Sequence, residues 1–187
     1  MRILAIRGAG LASLAAPFEV DLAAPPLRDA GVFAIVGPTG AGKSTLLDAL
    51  CLALFDRTPR LPENERSRIG AEGDDERLTA SDPRNVLRRG AASGHAEVDF
   101  VGIDGARYRA RWEVRRAHGR ADGRVQPQTV SLVELSSGRG LGGTKREVLA
   151  EIEARLGLSF AQFRRSALLA QGQFAAFLKA KPNERAE

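Results

Sequence analysis

The sequence predicts a mixed α/β fold: a phosphate-binding loop set between an apolar strand and a helix, with an antiparallel β-sheet beside that core. Three observations predict it. The run "VFAIV" (32–36) leads into "GPTGAGKST" (37–45), which opens the periodic apolar stretch "KSTLLDALCLALFD" (43–56). Two short β-like segments precede this unit and three follow it. One amphipathic helical stretch comes after them. Hydrophobic residues are 43% of the 187 and charged residues 27%, the balance of a soluble domain with a real core, and no apolar run approaches the roughly 20 residues of a membrane helix.

In chain order, "RILAI" (2–6) and "FEVDL" (18–22) read as strands joined by the small-residue segment "RGAGLASLAAP". The first ten residues are too briefly apolar for a signal peptide. "VFAIV" is short, β-branched and continuously apolar, which predicts a buried strand. In 43–56, Leu46, Leu47, Leu50, Ala53 and Leu54 recur every three or four residues, as a helix face requires. Cys51 is the only cysteine, so no internal disulfide forms; it reads as a small buried hydrophobe in this helix and fits a reducing compartment. The stretch 57–83 is rich in Pro, Glu, Arg and Gly without a period, and 62–80 within it is expected to be a flexible insertion. "HAEVDFVGI" (95–103) and "ARYRARWEVRR" (106–116) form a hairpin turning at Asp104-Gly105, and "TVSLVEL" (129–135) is the next strand. "ELSSGRG" (134–140) is that strand running into a turn. "TKREVLAEIEARLGLS" (144–159) is a helix with Val148, Leu149, Ile152 and Leu156 on one face, a capping box from Thr144 and Glu147, and Gly157 at its end.

The loop carries the chemistry. Gly37, Gly42, Lys43 and Ser44 match the pattern G-x-x-x-x-G-K-[ST] between strand and helix. Its residues, Gly37, Pro38, Thr39, Gly40, Ala41, Gly42, Lys43, Ser44 and Thr45, turn backbone N–H groups toward phosphate oxygens at the positive end of a helix. Lys43 would place its charge on the β and γ phosphates, Ser44 would ligate magnesium, and Thr45 would lie close to the α-phosphate. Phosphoryl transfer also needs an acid at a second strand end. Asp104 sits at a hairpin tip and Asp21 comes before the loop, so neither serves. "SALLAQG" instead delivers Gln171 after four apolar residues, either as a solvated loop residue or as an amide oxygen placed on magnesium.

Three stretches, "VFAIVGPTGAGKSTLLDALCLALFDRTPRL" (32–61), "DPRNVLRRGAASGHAEVDF" (82–100) and "FRRSALLAQGQFAAFLKAKPNERAE" (163–187), resemble the SbcC family, DNA-repair ATPases of the SMC-like, ABC-headed group. The likeness runs nearly end to end and is weakest at 62–80 and 117–127. It implies a P-loop ATPase head of the ABC type, of which residues 1–180 are the N-terminal part, lobe I, and 181–187 the start of a truncated coiled-coil helix. The missing signature motif, magnesium-binding aspartate and catalytic glutamate would then come from a C-terminal half. The cofactors implied are ATP and Mg²⁺, with Lys43 and Gln171 in catalysis and Ser44 and Gln171 at the metal. The partners implied are the C-terminal half, a second head, the nuclease SbcD and double-stranded DNA, in the cytoplasm on the nucleoid. Where many relatives have Asn-aromatic followed by a polar residue, Gly10, Leu11 and Ala12 stand here, so no nucleotide contact is carried over to that segment.

Strand alternation in 106–116 puts Arg107, Arg109, Arg111 and Arg115 on one face and Tyr108, Ala110, Trp112 and Val114 on the other. With a net charge of +5, that face could meet DNA phosphates without reading sequence, or be an ordinary solvated face. His95 and His118 have no ligand-spaced partner and are expected to bind no metal. Two other functions stay in view. A self-contained P-loop kinase or GTPase would need an acidic strand end and a base-recognition motif, and neither stands out. A DNA-binding module with a relic loop would not need an intact Gly-Lys-Ser.

Overall fold

The computed structural model describes residues 1–62, 67–69 and 78–166. Met1–Gly157 form one compact unit, and a second begins at Leu158.

Strands β1 (Arg2–Ala9) and β2 (Phe18–Asp21) pair antiparallel, Ile6 opposite Val20. Helix α1 (Lys43–Phe55) follows. The two-residue strands β3 (Arg68–Ile69) and β4 (Leu78–Thr79) pair with one another, a small ladder that the unpatterned composition of 57–83 did not predict. Then come β5 (Ser93–Val101), β6 (Arg107–Arg115), β7 (Thr129–Glu134), β8 (Gly140–Leu141) and α2 (Lys145–Leu156). The main sheet has the order β2-β1-β5-β6-β7-β8 and every pairing is antiparallel.

One face of this sheet is apolar and the other charged, as expected where helices cover a single side. Ala96, Val98, Phe100, Ala110, Trp112, Val114 and Leu132 are all buried. α1 packs against β1, β5 and β6, and α2 against β7. The C-terminal two turns of α1 are enclosed on every side: Cys51, Leu52, Ala53 and Leu54 are fully buried, whereas Leu47 is 38% exposed. The expected single stripe is therefore too narrow; the helix is sandwiched rather than half-wetted. α1 stops at Asp56, whose backbone is left-handed (φ 52°). The carboxylate of Asp56 accepts from Trp112 Nε1 (2.7 Å), Gln128 Nε2 (3.0 Å) and Lys145 Nζ (2.6 Å), tying the helix end to β6 and α2.

α2 has the predicted capping box: Thr144 Oγ1 accepts from Glu147 N, Glu147 accepts from Thr144 N, and Gly157 closes the helix at φ 71°. Val148, Ile152 and Leu156 form its buried face. "ELSSGRG" is the end of β7 and the turn into β8, as read, with Gly138 N donating to Glu134 O. In the second unit, α3 (Phe160–Ser166) opens with Ser159 and Gln162 bonding reciprocally.

One expectation fails. The run 32–36 forms no strand, and Val32 and Val36 are 92% and 85% exposed. A central strand needs neighbours for both its backbone edges and its side chains. Among the described residues, none stands beside it.

Candidate nucleotide site

The motif Gly37–Thr45 comprises the loop after this run and the first residues of α1. Gly40 and Gly42 have φ of 85° and 97°, which a side chain resists. At Gly42 there is a second reason for glycine: an added Cβ would run into the Leu14 side chain. Gly42 caps α1 without any side-chain hydrogen bond, and the first turn holds no acidic residue. The first amides of the helix thus keep no local anion, which leaves them to an external one. Lys43 Nζ folds back over the loop and donates to Gly37 O (2.6 Å) and Pro38 O (2.8 Å). Ser44 is exposed beside it. Uncapped helix amides, a lysine folded over the loop and an exposed hydroxyl thus lie next to one another in sequence at the head of α1.

Thr45 faces the other way. It is fully buried, its hydroxyl 3.3 Å from Ser13 Oγ and 3.5 Å from Arg60 Nη2. Arg60 Nη2 also lies 2.5 Å from Asp48 Oδ2, and Thr58 Oγ1 donates to the same carboxylate. A polar cluster of Ser13, Thr45, Asp48, Thr58 and Arg60 thus backs the loop. Sequence reasoning missed it, although Asp48 is the one carboxylate of α1, set among leucines and alanines, and Thr58-Pro59-Arg60 follows that helix within a few residues. Burial, then the nearby Asp48 charge, pushes the Cys51 thiol up to about 12, so it is unreactive packing.

The two weighed aspartates have local duties. Asp21 accepts from Ala23 N and Ala24 N, and Asp104 from Tyr108 Oη and Ala106 N. Gln171 lies outside the described residues. Among the described residues, no group of three His, Cys, Asp or Glu side chains is placed to hold a metal ion.

The arginine-bearing face of β6 alternates as expected, but it is not a free basic surface. Arg109 donates to Asp99 through Nε (2.7 Å) and Nη2 (2.8 Å). Arg111 bonds Glu113 and Glu97. Arg7 on β1 reaches Asp99 (2.8 Å) and Glu19 (2.8 Å). Burial alone would raise the Asp99 carboxyl, but hydrogen bonds from Arg109 and Arg7 outweigh it and hold it below the usual aspartate value. Arg107 and Arg115, at the two ends of the strand, are exposed.

Comparison with known proteins agrees with this geometry. A family model described as "AAA domain" matches residues 6–187. Over 186 residues, 99% of the chain, it is 57% identical to the SbcC component of the nuclease SbcCD from Pseudomonas aeruginosa, and over its full length 50% identical to the protein of the same name from Rhodobacter capsulatus. It is 31% identical over 156 residues, 83% of the chain, to "DNA double-strand break repair Rad50 ATPase" of Methanopyrus kandleri. In each case the match takes in 15% of the relative's length. With a phosphate loop at the head of α1, an antiparallel sheet beside it and these matches along nearly all its length, the chain belongs to the AAA domain family, within its SbcC group.

Proposed function

We propose that this chain is the nucleotide-binding part of an ATPase head that works in DNA double-strand-break repair, as the names of its relatives indicate for them. The observation that carries the reading is the phosphate loop with uncapped helix amides and Lys43 poised over it. The residues from Gly37 to Thr45 would bind the phosphates of ATP, chiefly through backbone amides and in the case of Thr45 through its amide alone, since its hydroxyl is turned inward, with Lys43 on the β and γ phosphates. Ser44 would hold Mg²⁺, joined by Gln171. Bound magnesium supplies charge neutralisation at the transferred phosphoryl group.

The chain spans 15% of the length of the relatives it matches, so the activity and partners of the whole protein are part of this proposal. The unpaired apolar run 32–36 supports a head completed by a further segment, the C-terminal half, whose strands would flank it and whose acids would activate water. Two completed heads would close on ATP and open on hydrolysis, controlling an SbcD-type nuclease on DNA. DNA contact falls to the exposed arginines of β6 rather than to Arg109 and Arg111, which the carboxylates hold.

The deciding experiment is ATP turnover by this chain while purified C-terminal half is titrated in. Turnover that appears only on mixing and is lost in Lys43→Ala is the expected outcome. Equal turnover by the chain alone would overturn the split-head reading in favour of a self-contained enzyme.

A further inference from the structure

The central arginines of the charged sheet face are committed, so a polyanion must find its cations elsewhere. One corner of the sheet offers them. Beyond β6 the chain turns back, and an isolated antiparallel bridge pairs Arg116 with Val125. Ala117 N donates to Arg124 O and Gln126 N to Arg115 O, both at 2.8 Å. This short ladder sets Arg115 opposite Gln126 and Arg124 one step along the diagonal, on the same face, because the buried Val125 points to the other. Such diagonal neighbours stand roughly 7–8 Å apart. That span is close to the through-space separation of neighbouring phosphates on one DNA strand, which advances about 3.4 Å along the helix axis per step. Both arginines are exposed. Unlike Arg109 and Arg111, neither makes an ion pair among the described residues. Next to Arg115 an open cleft of about 350 Å³ is lined by Glu113, Gln126, Pro127 and Thr129. Its one carboxylate, Glu113, is already bonded to Arg111.

We infer that Arg115 and Arg124 form a contact site for the phosphate backbone of duplex DNA, on the bridged fold-back that follows β6. This rests on the DNA-repair reading above. It assigns the contact to the fold-back after β6 rather than to the middle of the strand. Both contacts are to phosphate, so binding through them is indifferent to base sequence.

The test is fluorescence anisotropy of a 30-base-pair duplex with the full chain across a salt series. Arg115→Ala/Arg124→Ala is expected to bind about tenfold more weakly, roughly threefold per screened surface charge. Its log–log salt slope should fall by about 2, near 0.9 per lost phosphate contact. Arg115→Lys/Arg124→Lys should keep the slope, and Arg139→Ala/Arg146→Ala, an equal change in charge at two exposed arginines in the β7–β8 turn and in α2, should keep both affinity and slope. The inference is overturned if the first double variant matches wild type, or if the control pair loses as much. It is also overturned if a polyglutamate peptide binds these arginines as tightly as the duplex, which would assign them to an acidic protein. MgATP affinity, measured on the same variants, should not move. A wild-type chain that ignores the duplex but binds MgATP through Lys43 would sink this site and leave the nucleotide reading standing.

Discussion

At the scale of single residues, two positions hold more structure than their size suggests. Gly42 is required twice, by its left-handed backbone and by the Leu14 side chain against it. Gly42→Ala should cost at least the roughly 1–2 kcal/mol of a left-handed alanine. In thermal unfolding of a unit this size that is a fall of about 3–6 °C. Adding Leu14→Ala relieves the clash but not the backbone strain, so only part of the loss should return. Asp56 satisfies three donors from three separate parts of the chain. Asp56→Ala strands the buried indole N–H of Trp112 and should destabilise by about 2–4 kcal/mol in urea titration. Asp56→Asn keeps an acceptor and tolerates the left-handed backbone, and should lose about half as much. Equal losses in the two variants would mean that the charge on Lys145, not the hydrogen-bond geometry, dominates.

At the scale of elements, the exposed face of β1, β5 and β6 is an alternating lattice of arginines and carboxylates. Asp99 is its most enclosed member, with a side chain 9% exposed. Its folded carboxyl lies below the ordinary value of 3.8. A lowered folded pKa contributes stability that is full above the unfolded value and fades as pH falls through the folded one. Wild type should therefore lose stability below about pH 3.8, and Asp99→Asn should lose less there. At pH 7 the variant should be weaker by about 2 kcal/mol, a value discounted from buried pairs because both arginines are partly exposed. Parallel stability–pH curves for the two proteins would refute the assignment. The same lattice explains why the strand pattern of β6 was legible while its role was not. Alternation put four arginines on one face, but only the register with β1 and β5 brought Asp99 and Glu97 alongside them.

At the scale of the whole molecule, the decisive feature is the apolar run ahead of the phosphate loop. Phe33 and Ile35 are each nearly half exposed, and Val32 and Val36 almost wholly so. Exposed β-branched residues whose backbone finds no strand partner among the described residues are a place where added strands could pair. On mixing with the C-terminal half, the amides of 32–36 should become protected from hydrogen exchange in step with the appearance of turnover. Turnover without protection would mean that the added half completes the site some other way.

By itself the sequence determined the local pieces. The glycine-lysine-serine spacing marks the loop, Thr144 and Glu147 begin α2, Gly157 ends it, and two-residue alternation marks β5 and β6, because each depends on residues within a few positions of one another. Strong likeness to the SbcC group came from the same linear text. Tertiary structure alone decided the rest. It showed that α1 is buried all round towards its C-terminal end, that Thr45 turns inward to Ser13 and Arg60, and that carboxylates hold Arg109 and Arg111. It also showed that 32–36 stands without a sheet among the described residues. Each of these depends on partners far from one another in the chain, and no local pattern records them.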